Sequence, residues 1–153
     1  MLFLLFDLDG HRYALDTGSI SEVLPLVDIR PLRGAPPAVA GVIEYRGATV
    51  PVIDVSELAL GRSAARRLST RIVLVQHAPQ VGVSRILGLI LEGATSTFRC
   101  EPEQFQHAGI SRDGAPYLGP IARSAIGLVQ RVELGGLLAH SSCRTLLEAT
   151  AEP

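Results

Sequence analysis

Apolar residues come in short bursts along this chain, and nearly every burst closes on glycine, proline or a small polar residue. Leu2 to Leu8 is apolar and aromatic, Asp9-Gly10 is a hairpin-turn pair, and Arg12 to Leu15 resumes the strand. Ile20 to Ile29 is a second run, interrupted by Pro25, which predicts two pieces or an edge strand. Ala35 to Gly41 has prolines where a helix opens and a glycine where one closes, so it predicts a short helical turn ended by Gly41 in a left-handed conformation. Val42 to Tyr45, the turn Arg46-Gly47, and Thr49 to Val55 predict a hairpin. Pro51 in its second arm calls for an edge or a bulge. Ser56 ahead of Glu57-Leu58-Ala59-Leu60-Gly61 predicts a cap, one apolar turn and a terminating glycine.

Arg62 to Ser69 is rich in Arg, Ser and Ala and is the expected mobile connection. Thr70 to Gln76 and Arg85 to Glu92 follow as strands joined by a loop with Pro79 and Gly82. Ala94 to Arg99 is another short strand, and Ser124 to Leu134 a further one interrupted by Gly127. Ser142 to Ala151 alone has helical spacing, with Leu146, Leu147 and Ala151 on one side and Arg144 and Glu148 four apart. Strands this short and frequent predict a mainly β fold of small barrels rather than a parallel α/β sheet.

The length of 153 residues suits one compact domain, or two small lobes sharing a core. With 14 basic residues, all Arg, against 15 acidic ones, the net charge is −1, which argues against a nucleic-acid partner. Apolar residues make up 47% and charged ones 19%, so the chain is not disordered. Mean hydropathy is high at +0.30, yet no apolar run approaches the ~18 residues of a membrane span. The surplus is expected in the core or on surfaces that meet other proteins. Cys100 and Cys143 make no disulfide framework, and Met1 to Phe6 lacks a basic leader. A soluble, cytoplasmic protein without membrane insertion is the expectation.

Catalytic constellations are missing. His11, His77, His107 and His140 are scattered, and Cys100 has no evident base; both types read as ordinary residues. There is no nucleophile elbow and no phosphate-binding loop, Gly135-Gly136 included, and Asp7, Asp9 and Asp54 read as turn or cap residues. No catalytic residue, metal or cofactor is expected. Arg46 holds a guanidinium at a tight turn between apolar strands, although turn geometry by itself favours a plainly solvated side chain.

At this hairpin the sequence resembles the CheW-like domains, the coupling proteins of bacterial chemosensory arrays. Gly41-Val42-Ile43-Glu44-Tyr45-Arg46-Gly47-Ala48-Thr49-Val50-Pro51-Val52-Ile53-Asp54-Val55 is similar to their characteristic hairpin. Phe3 to Leu15 is similar to the opening strand pair, Ile20-Ser21-Glu22-Val23-Leu24 to the segment with a central Glu, and Ile29 to Leu32 with Pro36 to the lead-in that follows. Leu87 to Glu92 resembles the apolar-Gly-apolar strand, and Val132 to Leu138 the last strand running into a C-terminal helix. The residues before Arg-Gly differ from the usual Asn-Leu, Leu91-Glu92 replaces the usual Val-Asp, and Cys100 to Pro120 is less family-like.

The resemblance implies two intertwined five-stranded SH3-like β-barrels with a hydrophobic groove between them. The lobes would cover roughly residues 16–85 and residues 1–15 with 86–140, and a C-terminal helix would cover about 142–151. It implies a non-catalytic adaptor. One surface would hold the CheW-like regulatory domain of a chemosensory histidine kinase, and another the cytoplasmic tip of a methyl-accepting chemoreceptor. Self-association in array rings is compatible with this. The positions implied for protein binding are Arg46, Glu22, Val23 and Tyr45, with Leu87, Leu89 and Ile90 as a receptor-facing apolar strand. The alternative is a small-molecule-binding β-barrel module, which would need convergent polar groups on an apolar wall.

Overall fold

The computed structural model describes residues 1–80, 83–107 and 117–139, and ten strands carry most of these described residues. In chain order they are β1 (Leu2–Leu8), β2 (His11–Asp16), β3 (Ile20–Pro25), β4 (Val39–Tyr45), β5 (Ala48–Asp54), β6 (Arg71–Gln80), β7 (Val83–Arg99), β8 (Phe105–Gln106), β9 (Leu118–Ser124) and β10 (Gly127–Val132). Two short helices, α1 (Val55–Leu60) and α2 (Leu134–Leu138), join them. The stretch expected to be a C-terminal helix, with His140, Cys143 and the segment around Asp113, lies outside the described residues.

One group of strands runs β3-β6-β7-β5-β4, and an Arg30–Val42 bridge ties the segment after β3 back to β4. The other runs β7-β1-β2-β10-β9-β8. Strand β7 serves both: its first half pairs with β6 and β5, its second with β1. The two strands expected over 85–92 and 94–99 are therefore one. Gly93 takes φ +62 at the bend, with Asp7 Oδ2 only 2.3 Å from where a Cβ would sit.

Side-chain alternation along the shared strands fills three apolar clusters. Ile43, Val50, Val52, Ile72, Leu74 and Ile90 fill the first barrel, while Phe3, Leu5, Ala14, Phe105, Ala122 and Val129 fill the second. The largest cluster lies between them and includes Leu4, Phe6, Ile53, Val73, Val75, Leu87 and Leu89. Strands β1, β5, β6 and β7 thus bury both faces, and much of the unusual hydropathy is spent internally.

This corrects the expected role of Leu87, Leu89 and Ile90. Leu87 and Leu89 are 1% exposed, Ile90 4%, and β7 has a neighbour on each side there. Their side chains support the fold and do not face a partner. Leu89→Ala is expected to cost about 2–5 kcal/mol in urea unfolding, with residual binding tracking the folded fraction.

Local chemistry accounts for the other differences. Asp54, not Ser56, caps α1 by accepting the Glu57 amide at 3.1 Å, and the Ser56 hydroxyl donates to Glu92 Oε2 at 3.0 Å. Gly61 ends the helix in a left-handed conformation as expected. Gly41 closes no helix: it lies within β4 at φ +143, pressed on the Arg30 carbonyl, and residues 36–39 make only one turn, Val39 N to Pro36 O, 2.9 Å. Strand β5 is internal, and Pro51 is accommodated one residue before its ladder with β7 begins. Residues 124–134 form a hairpin turn, a strand and the start of α2 rather than one strand.

Segment 62–69 is tethered rather than loose. The Ala64 amide donates to Asp54 Oδ2 at 2.9 Å, and the Ala65 amide to Glu92 Oε1 at 2.8 Å. Its end is fixed by Thr70 N to Arg67 O and by Ala94 N to Ser69 O.

Candidate functional site

Strands β4 and β5 meet in a two-residue turn, with Tyr45 opposite Ala48. Arg46 and Gly47 both have positive φ, +49 and +80. Two positive φ values define the turn that best matches strand twist, and Asn-Gly or Asp-Gly suits it most. The first hairpin follows that preference with Asp9-Gly10 at φ +51 and +79. The second carries Arg where a short turn-forming side chain would be more stable, at a local cost of about 1 kcal/mol. This break with local preference is confined to the most conspicuous surface cation of the hairpin, which is 79% exposed.

Around Arg46 the structure gathers two other residues singled out in the sequence. A one-residue irregularity between Ile20 and Glu22 in the β3–β6 pairing re-aims Glu22, whose carboxylate meets the hairpin tip. The Tyr45 hydroxyl donates to Glu22 Oε2, and Arg46 Nη2 lies 3.7 Å from the same oxygen. The Arg46 guanidinium carbon also sits 5.1 Å from the Tyr45 ring centroid. An ion pair this exposed adds little stability, and a cation over an exposed ring about 0.5–1 kcal/mol. The gain is orientation: carboxylate, phenol and guanidinium form one outward-facing polar tip on a rigid hairpin.

Val23, next along β3, is 42% exposed and faces elsewhere. With Leu4, Arg71 and Ala94 to Thr97 it lines an open groove of about 630 Å³ beside the second half of β7. Sequence reasoning missed Thr95, Ser96 and Thr97, whose small polar side chains look like any solvated strand face. Leu87, Leu89 and Ile90 do not join either feature.

A second depression, about 290 Å³, is lined by Leu26, Val39, Ala40, Asp54, Arg66 and Ile90 among others. Asp54 is 7% exposed there, and both carboxylate oxygens accept backbone amides, so it acts as a clasp between α1 and segment 62–69. Burial raises its pKa above the ordinary 3.8, and the amide donors only partly oppose this. The folded chain therefore binds more protons at Asp54 than the unfolded chain does. Its contribution to stability is largest near or below pH 3.8 and declines as pH rises through the raised value. In urea unfolding at a series of pH values, this decline should vanish in Asp54→Asn.

Elsewhere the reactive groups are quiet. Cys100 is buried, and burial pushes its thiol pKa up, away from the nucleophilic thiolate. Burial, then the neighbouring Arg85, lowers the His77 pKa. Among the described residues no three His, Cys, Asp or Glu side chains are placed to hold a metal ion, and no helix is long and apolar enough to cross a membrane.

Comparison with known proteins agrees with this architecture. The family model for the CheW-like domain matches residues 2–142. A chemotaxis protein CheW from Klebsiella aerogenes is 24% identical over 106 residues, covering 69% of this chain and 61% of that protein. One from Rhizobium meliloti is 25% identical over 101 residues, covering 66% of this chain and 62% of that protein. The chain thus matches about three-fifths of the length of these curated relatives. The fold is similar to the crystal structure of scaffolding protein TtCheW from Thermoanaerobacter tengcongensis. The TM-score is 0.77 at 22% identity, over 92% of this chain and 89% of that one.

Proposed function

Because the chain belongs to the CheW-like domain family, we propose that it is a cytoplasmic, non-catalytic adaptor that couples methyl-accepting chemoreceptors to a chemosensory histidine kinase. The observation that carries this reading is Arg46, held in a left-handed turn against local stability and oriented by Glu22 and Tyr45. A guanidinium so displayed, its central carbon 5.1 Å from the Tyr45 ring centroid, can make several directed hydrogen bonds to a protein partner.

The adaptor works by geometry. Receptor tip and kinase regulatory domain bind a scaffold whose two barrels share a strand and a core, so they are held in fixed relation. A rearrangement of the receptor then biases the kinase between alternative packings. Each contact buries about 800 Å² per partner, the usual size of a specific interface. Weak contacts gain strength when repeated in an array.

Co-sedimentation with a receptor cytoplasmic fragment and a chemosensory kinase from the same genome tests the proposal. All three proteins are expected in the pellet together, in amounts that fall when the chain is omitted. Failure of the chain to bind either partner would remove the reading. A chain that instead gains thermal stability with a small metabolite, and binds neither protein, would favour the ligand-binding alternative.

A further inference from the structure

One oxygen atom at the hairpin tip has two claimants. Glu22 Oε2 accepts the Tyr45 hydroxyl, and Arg46 Nη2 stands 3.7 Å from the same atom, outside hydrogen-bond distance. An unhindered carboxylate and guanidinium close to about 2.7–2.9 Å and pair through two parallel bonds. Starting from 3.7 Å, Glu22 and Arg46 need a shift of only about 1 Å to do so. Something holds them apart.

The phenol is seated firmly enough to do this. Tyr45 is the last residue of β4, paired with Ala48 across the turn, and it packs against the apolar cluster of the first barrel. Glu22 stands on β3 where the pairing with β6 resumes, and 38% of its side chain is exposed. Arg46 is 79% exposed on a two-residue turn and is the freest of the three. Its guanidinium carbon lies 5.1 Å from the Tyr45 ring centroid, so the ring draws the cation while the hydroxyl occupies its counter-ion.

We infer that Tyr45 is a positioning residue whose hydroxyl holds Glu22 back from Arg46 and so keeps the guanidinium free to bond a partner. The inference rests on the reading of Arg46 as the contact residue, and it adds what controls that contact. Without the hydroxyl, Glu22 captures Arg46 within the chain, and a partner must break that pair before it binds. Apparent affinity then falls by the fraction of chains in which Arg46 is free. For an exposed ion pair the factor is at most about 5.

Tyr45→Phe tests this with the least disturbance, because it keeps the ring beside Arg46 and alters no charge. Circular dichroism and melting temperature verify folding. The first readout needs no partner: rotation of the Arg46 guanidinium about its Nε–Cζ bond, followed by nitrogen-15 NMR, with the signal identified by its loss in Arg46→Asn. Rotation should be fast in the wild-type chain, several-fold slower in Tyr45→Phe, and fast again when Glu22→Gln is added. The second readout is calorimetric titration with receptor fragment and kinase, each alone. The protein whose binding Arg46→Glu weakens should bind Tyr45→Phe about 5-fold less tightly than wild type. In the Glu22→Gln background, Tyr45→Phe should change that affinity by less than about 2-fold.

Equal weakening in both backgrounds would make the hydroxyl a direct partner contact and overturn the inference. So would unchanged guanidinium rotation in Tyr45→Phe, or an affinity loss that merely follows a fall in melting temperature; these outcomes leave the adaptor reading intact. If the wild-type chain binds neither protein, the adaptor reading falls and the purpose assigned to the phenol with it, while the NMR comparison still decides whether the phenol restrains Glu22.

Discussion

Arg46→Glu is expected to weaken the complex with the partner at the hairpin tip about 30-fold or more, with no change in circular dichroism. The size follows from the position: an oriented Arg at an interface is a frequent hot spot, worth about 2 kcal/mol or more. Reversal also places a second carboxylate beside Glu22, which now lies 3.7 Å from the guanidinium. Arg46→Asn separates function from structure. Asn suits a positive φ, so unfolding free energy should hold steady or rise by up to about 1 kcal/mol while binding falls. If Arg46 were only a structural turn residue, Asn would leave binding intact. Isothermal titration and urea unfolding on the same preparations distinguish these outcomes.

Gly41→Val should be the most damaging single change to the fold. A Cβ at this position would lie 2.0 Å from the Arg30 carbonyl oxygen and 2.7 Å from its carbon, with φ at +143. Both obstacles are backbone. Arg30 exchanges hydrogen bonds with Val42 in both directions at 2.9 Å, so it cannot retreat without opening the tie between β4 and the segment after β3. A loss of at least about 3 kcal/mol is expected, lowering the melting temperature by roughly 6–12 °C or abolishing the cooperative transition. Gly47→Ala provides the contrast. A Cβ there meets nothing within 4 Å, so only the unfavourable φ of +80 is felt, at about 1 kcal/mol.

The two glycines show which parts of the fold were legible in the sequence. Asp9-Gly10, Arg46-Gly47 and Gly61 act within a few residues, and local turn chemistry identified all three. Gly41 looks locally like a helix end, yet its small size is demanded by the Arg30 backbone, eleven positions back in sequence and bridged to β4. Polar tethers hid for the same reason. Asp54 and Glu92 reach across to Ala64 and Ala65, and nothing in the Arg-Ser-Ala composition of 62–69 announces that.

Strand burial was legible only as apolar content. Leu87, Leu89 and Ile90 read equally well as a partner-facing surface and as a strand covered on both sides; the second applies because β7 lies between β5 and β6. Of the site, the exposed Arg46 was plain from its turn. Its meeting with Glu22 depends on a strand irregularity between Ile20 and Glu22, and only family resemblance pointed to Glu22 beforehand. The bond from Tyr45 to Glu22 was not foreseen at all.

Kinase autophosphorylation, followed with and without receptor fragment and with and without this chain, tests the central claim most directly. The account predicts that receptor alters the kinase rate only when the chain is present, and that Arg46→Glu removes the effect. Receptor control that persists undiminished without the chain, or that the charge reversal leaves untouched, would contradict it.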